Sequence, residues 1–290
     1  MQYGLLNYST RNLGDDIQSV AARRFLPRVD QLVDRDALNR APGSDPCKII
    51  LNGWFTHRPD NWPPAPDLEP LFISTHISAM SVGPRGARMT PSQLLMQGAA
   101  WDYLKQREPI GCRDLATVEL LRRHGVEAYF SGCLTLTLDR PEAPRRDVVC
   151  FVDARKDVVR RLAGKVGVEA ETMTHTLTPD EGDDEFAIRS TRAEQRLLQY
   201  ATARLVVTSR LHCAMPCLAF GTPVVYVFEH PEDDRLSGLR DLTHFFTPEQ
   251  ILSDGAAFDW RDPAPNPGDI GPLRRELIDR CLAFVAPGGS

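Results

Sequence analysis

The densest chemical signal in the chain is the stretch Leu205–Val225, LVVTSRLHCAMPCLAFGTPVV. The apolar run Leu205–Thr208 reads as a buried strand. Thr208 and Ser209 are of the types that cap helices. A helix is therefore expected to start there, with Arg210 and His212 in its first turn, and to end at Gly221. The first amides of a helix attract anions. An arginine beside them adds a two-pronged clamp for carboxylate or phosphate, and a histidine there exchanges protons near neutral pH. In open α/β sheets ligands gather at the carboxyl ends of the strands, where Ser209, Arg210 and His212 fall. The plainer reading has Arg210 in a surface ion pair and His212 as a capping residue. Residues two apart on a helix point to nearly opposite sides, so the pair meets one ligand only if that ligand lies across the helix end.

Other polar groups sit at comparable places. Thr10–Gln18, TRNLGDDIQ, reads as a glycine loop leading into a helix, with Asn12, Asp15 and Asp16 as polar groups and Gly14 allowing close backbone approach. It is not G-x-G-x-x-G, so no dinucleotide is indicated. Three further strand ends are polar: Asn52-Gly53-Trp54, Thr75-His76-Ile77-Ser78 and Arg113-Asp114. Singly, each reads as structural, Arg113 with Asp114 as an internal ion pair and His76 as a satisfied core histidine. Several at one edge of one sheet read as a site. Cys213 and Cys217 lie four apart beside His212, but no second ligand cluster accompanies them and no metal is expected. No G-x-S-x-G elbow and no P-loop occur, and Ser131-Gly132-Cys133 reads as a strand end.

These groups need an alternating scaffold to hold them. Short apolar runs suited to buried strands are Lys48–Leu51, Leu71–Ser74, Ile110–Cys112, Ala128–Ser131, Val148–Val152, Leu205–Thr208 and Pro223–Phe228. Helical patterns fall between them at Ile17–Arg24, Gln93–Lys105, Leu115–His124 (stopped by Gly125) and Arg192–Ala203. The alternation predicts an α/β fold with parallel sheets and right-handed crossovers. A polar break with two prolines, Leu138–Asp147, is followed at once by a fresh strand and marks a boundary. The expected domains are residues 1–143 and 144–290. Asn61–Pro70 and Thr178–Glu185 read as surface loops, and a last amphipathic helix is expected over Pro272–Phe284.

Bulk properties narrow the class. A chain of 290 residues ordinarily divides into two domains of roughly 100–150 residues. A formal net charge of −5 argues against a general nucleic-acid binder, which needs a basic face. The seven cysteines are scattered and odd in number, which suits reduced thiols in a cytoplasmic protein. No signal peptide and no membrane-spanning run are visible.

The motifs together resemble the polysaccharide pyruvyl transferase family. The likeness rests on TRNLGDDIQ, on IGCRDLATVELLRRHGVEAYFSGCLTLTL and above all on VVTSRLHCAMPCLAFGTPVV, with N-G-W and S-T-H-I in support, and covers most of residues 1–228. The resemblance implies two Rossmann-like domains facing across a cleft in a GT-B-like arrangement. The N-terminal domain would form the acceptor side, and the C-terminal domain the donor side, with the last helix packing back on the N-terminal domain. It implies phosphoenolpyruvate as donor substrate, no cofactor, and as acceptor a sugar in a glycan or lipid-linked saccharide that gains a pyruvate ketal. Many members carry Asp-Pro where this chain has Gly132-Cys133.

On that footing Arg210 clamps the donor, His212 is the acid, and Asp15 or His76 is the base. Asn12, Gly14, Asn52, Gly53, Trp54, His76, Arg113 and Ser209 are expected to bind substrate. A peripheral position at the inner membrane face and a homo-oligomer are left open. The rival readings are a GT-B glycosyltransferase using a nucleotide-sugar and a non-catalytic carbohydrate-binding or assembly protein.

Overall fold

Val148–Val152 shows why strands form where they do: VVCFV is β-branched and aromatic, and all five residues are buried. In a computed structural model describing residues 1–40, 45–55, 58, 61–78, 90–182, 185–228 and 234–286, it is one of eleven strands among the described residues. In chain order these are β1 Gln2–Asn7, β2 Gln31–Asp34, β3 Cys47–Trp54, β4 Leu68–His76, β5 Ile110–Cys112, β6 Ala128–Phe130, β7 Val148–Val152, β8 Glu169–Met173, β9 Leu205–Thr208, β10 Val224–Val227 and β11 His244–Phe246. The α-helices are α1 Leu13–Arg23, α2 Pro91–Leu95, α3 Gly98–Lys105, α4 Leu115–Arg123, α5 Lys156–Ala163, α6 Pro179–Gly182, α7 Phe186–Thr202, α8 Leu211–Phe220, α9 Pro248–Leu252 and α10 Gly271–Val285.

The strands form two wholly parallel sheets, so the α/β expectation holds. One runs β2-β1-β3-β4-β5-β6 and the other β8-β7-β9-β10-β11. Each follows the order 2-1-3-4-5 of flavodoxin-like doubly wound sheets, the first with a sixth strand at its edge, rather than the 3-2-1-4-5-6 of dinucleotide-binding sheets. The chain divides into two compact units. Unit 1 is Met1–Ser9, Gln18–Leu134 and Leu273–Ser290, and so includes most of the final helix; unit 2 is Thr10–Ile17 with Thr135–Pro272.

Unit 1 is centred on Ile49, Leu51, Leu68, Phe72, Ile110 and Leu121, with Trp62 and Tyr103 packed edge to face beside them. Lys48 caps the end of α10 through the carbonyl of Phe284, at 2.7 Å. Unit 2 is centred on Val149, Phe151, Val158, Leu162, Val207 and Val225. Each such side chain contributes about 1.5–3 kcal/mol on burial.

Two sequence expectations are corrected. The helix expected over Gln93–Lys105 is two helices, because Gly98 takes a φ of +56° that residues with a Cβ avoid. Strands β3 and β4 run on through Asn52-Gly53-Trp54 and Thr75-His76, so these polar groups are the last rungs of strands. The segment after Leu138 is fastened by Arg145 to the carbonyls of Ala203 and Gly221 and by Arg146 to Glu171. Residues 183 and 184 of the loop expected at Thr178–Glu185 lie outside the described residues.

Candidate active site

In a 2-1-3-4-5 sheet, the crossovers change direction between the first and third strands, and the crevice beyond their carboxyl ends takes the ligand. In unit 2 these strands are β7 and β9. The residue after β7 is Asp153, and those after β9 are Ser209 and Arg210. Asp153 has a φ of 49°, a left-handed conformation that Asp and Asn tolerate better than most. That turn lets its carboxylate accept from Arg210 Nε at 2.8 Å, from the His175 amide at 2.9 Å and from Thr174 Oγ1 at 2.5 Å. Burial alone would raise the Asp153 carboxyl, but those hydrogen bonds and the Arg210 charge outweigh it and hold it below the usual carboxylate range. Ser209 Oγ donates to the Asp153 carbonyl at 2.7 Å, tying the two strand ends together.

Arg210 does not lie in the first turn of α8 as expected; it is the N-cap residue, with φ −106° and ψ 124°. Thr208 is not the cap, because its hydroxyl is occupied: it donates to the Val152 carbonyl and accepts from the Arg210 amide. The Arg210 side chain keeps 39 % of its surface exposed. Nε is taken by Asp153 and one Nη2 hydrogen by Thr176 at 3.3 Å. The Nη1 edge has no hydrogen-bond partner among the described residues. The guanidinium is thus fixed along one edge and open along another. Beside it, the amides of Leu211 and His212 have no acceptor within the helix. Gly221 closes α8 in the left-handed conformation, φ +63°.

The segment around Gly14 belongs to the same unit. Its backbone pairs with the turn after β8: Asn12 bridges Thr176, and the Leu13 amide donates to the His175 carbonyl at 2.9 Å. Gly14 lies inside α1 rather than in a preceding loop. A Cβ there would sit 3.1 Å from Asn12 Oδ1, 3.1 Å from His212 Nδ1 and 3.3 Å from His175 Nδ1, so a hydrogen is what fits among three polar atoms. Asp15 accepts from Thr10 Oγ1 at 2.7 Å and from Asn12 Nδ2 at 3.4 Å. Asp16 is held by Arg189 of α7 through two bonds of 2.9 and 2.8 Å, both side chains being buried. Removing either partner of such a pair strands a buried charge.

Asn12, Gly14, Asp15, Ser209, Arg210 and His212 are therefore brought together in unit 2. The other expected residues lie in unit 1. There Asn52 donates from Nδ2 to the Gln18 carbonyl at 3.1 Å, and Gly53, at φ +133°, faces the Gln18 side chain. Trp54 is half-buried at the end of β3. His76 is buried and its Nδ1 lies 2.7 Å from Asp114 Oδ2. Asp114 also caps α4, accepting from the Thr117 amide. Arg113 is buried, its amide donates to the Thr75 carbonyl at 2.8 Å, and its Nε lies 3.9 Å from the same carboxylate with no hydrogen bond of its own among the described residues. Asp153, His175 and Arg189 are absent from the expected site, although Asp153 directly follows an apolar run and was open to the strand-end rule that found Arg210. Among the described residues no group of three or more His, Cys, Asp or Glu is placed to hold a metal, and no helix is long and apolar enough to cross a membrane.

Two parallel doubly wound units, one carrying an arginine and a histidine at the head of a helix at its switch point, define an α/β protein. The family model for polysaccharide pyruvyl transferase matches residues 12–230, and the chain belongs to that family. No curated protein matches it. One solved structure similar to it is that of an uncharacterised protein from Klebsiella pneumoniae subsp. pneumoniae NTUH-K2044, 12% identical over 85% of this chain and 92% of the other, with a TM-score of 0.46.

Proposed function

We propose that this protein transfers the pyruvyl group of phosphoenolpyruvate to two hydroxyls of one sugar in a polysaccharide or lipid-linked saccharide, releasing phosphate and leaving a pyruvate ketal. The observation that carries this reading is the Arg210 guanidinium, held by Asp153 along one edge, open along another and placed at the N-terminus of α8. Phosphoenolpyruvate presents a phosphate and a carboxylate, and either matches that open edge and the amides.

Family membership and the position of His212, second residue of α8, support its role as the acid. His212 delivers a proton to the methylene carbon of the enol, leaving a cationic centre at the neighbouring carbon. A sugar hydroxyl adds there and loses its proton. The carbon–oxygen bond to phosphate then breaks, and a second hydroxyl of the same sugar closes the ring with loss of a second proton. Asp15 is the proposed base, although Thr10 and Asn12 already engage its carboxylate. His76 is the alternative. Asn52, Gly53, Trp54, His76 and Arg113 are assigned to the saccharide.

The test is a transfer assay with phosphoenolpyruvate labelled at the carbon that becomes the ketal centre, read by NMR. His212→Asn keeps a hydrogen-bond donor but carries no proton to give at neutral pH. It is expected to bind phosphoenolpyruvate and to lose turnover by about 100-fold or more. Turnover near the wild-type rate in that variant would remove His212 from the chemistry.

A further inference from the structure

A second imidazole stands beside Gly14. His175 follows β8 and is 1% exposed. Its backbone is fully used: the amide donates to Asp153 and the carbonyl accepts from Leu13. One ring nitrogen, Nε2, lies 2.6 Å from the hydroxyl of Tyr200 on α7. The other, Nδ1, has no hydrogen-bond partner among the described residues. It lies 3.3 Å from the position a Gly14 Cβ would occupy, and His212 Nδ1 lies 3.1 Å from that same point. The ring is buried, and its Nδ1 is directed to the place where the proposed donor's acid sits.

We infer that His175 is a substrate-binding residue of the Arg210–His212 site, offering an Nδ1 hydrogen to the anionic donor, and that Tyr200 is the positioning residue that fixes this tautomer. The inference rests on the reading of that site as the phosphoenolpyruvate site. Burial drives the His175 pKa down to about 3, against the pull of Asp153 and with the help of Arg210 and Arg196, so the ring is neutral at working pH and carries one hydrogen. Burial also drives the Tyr200 phenol well above its usual range. The phenol therefore remains a donor. With the phenol hydrogen directed to His175 Nε2, the imidazole hydrogen sits on Nδ1. A neutral donor suits an anion beside an existing arginine, because it binds without adding a charge that would stabilise the ground state further.

Nitrogen-15 NMR of histidine-labelled protein tests this on the wild-type chain. The His175 ring is expected to show the Nδ1–H tautomer and no protonation down to about pH 5. Added phosphoenolpyruvate is expected to shift both His212 and His175 signals. Tyr200→Phe should mix the His175 tautomers and weaken phosphoenolpyruvate binding by several-fold; His175→Gln should weaken it by about tenfold. His175→Gln also assigns the signal; if that variant does not fold, the selective displacement in Tyr200→Phe assigns it. An Nε2–H tautomer, or a donor-induced shift at His212 with none at His175, overturns the inference and leaves the proposed function standing. Absence of any shift at either histidine overturns both.

Discussion

Arg210 and Asp153 form an ion pair, Nε to Oδ2 at 2.8 Å, across the switch point of the unit 2 sheet. Asp153 weakens the local positive charge yet decides which edge of the guanidinium is presented. Two substitutions separate those effects. Asp153→Asn preserves most acceptors, suits the left-handed backbone and removes the charge. It is expected to hold phosphoenolpyruvate within about threefold of wild type, since loss of repulsion offsets loss of the charged bond. Asp153→Gly fits the backbone equally well but frees the arginine, and should weaken donor binding by about tenfold. Calorimetry that finds the two variants alike would show that orientation of Arg210 is immaterial.

Gly14→Ala tests the crowding around the first turn of α1. On helix propensity alone the change would stabilise by up to about 1 kcal/mol. The three polar atoms 3.1–3.3 Å from the new methyl oppose this, and overpacking typically costs about 1–3 kcal/mol. Neither His175 nor Asn12 can retreat freely, because each is tied to the β8 turn or the Gly14 amide. A net loss of about 1 kcal/mol in denaturant unfolding is expected, together with weaker donor binding. A stabilised variant with unchanged affinity would show that His212 moves aside at no cost.

The buried His175 makes stability depend on acid. Its pKa is lowered from 6.5 to about 3 in the folded chain, so between those values the unfolded chain binds the extra proton. Stability from this group is complete above about pH 6.5 and falls with acidification by up to about 1.4 kcal/mol per pH unit. His175→Gln should flatten the slope of unfolding free energy against pH by that amount between about pH 6 and 4. Parallel slopes for wild type and variant would show that the ring titrates normally.

The parts of this site legible in the sequence share one property: they follow apolar runs buried on both faces. Leu205–Thr208 announces itself, and Arg210 and His212 come with it. The position of the cap did not, because Thr208 and Ser209 turn their hydroxyls across the sheet to Val152 and Asp153. His175 was hidden because β8, EAETM, is a polar strand at the edge of its sheet and lacks the apolar signal. The strand β1 was hidden partly by Gly4, whose missing Cβ makes room for Cys47 Sγ, 3.0 Å from where it would stand. The Asp16–Arg189 pair joins residues 173 positions apart, a separation no local pattern reports.

The central claim, that Arg210 heads a phosphoenolpyruvate site, is tested most directly by calorimetric titration of phosphoenolpyruvate into the wild-type protein and into Arg210→Ala. Saturable binding is predicted for the wild type. The variant should lose about 1–3 kcal/mol, the range for a charged hydrogen bond, while its thermal unfolding stays close to wild type because the side chain is partly exposed. No binding to the wild-type chain, or equal affinity in the two proteins, would contradict the assignment.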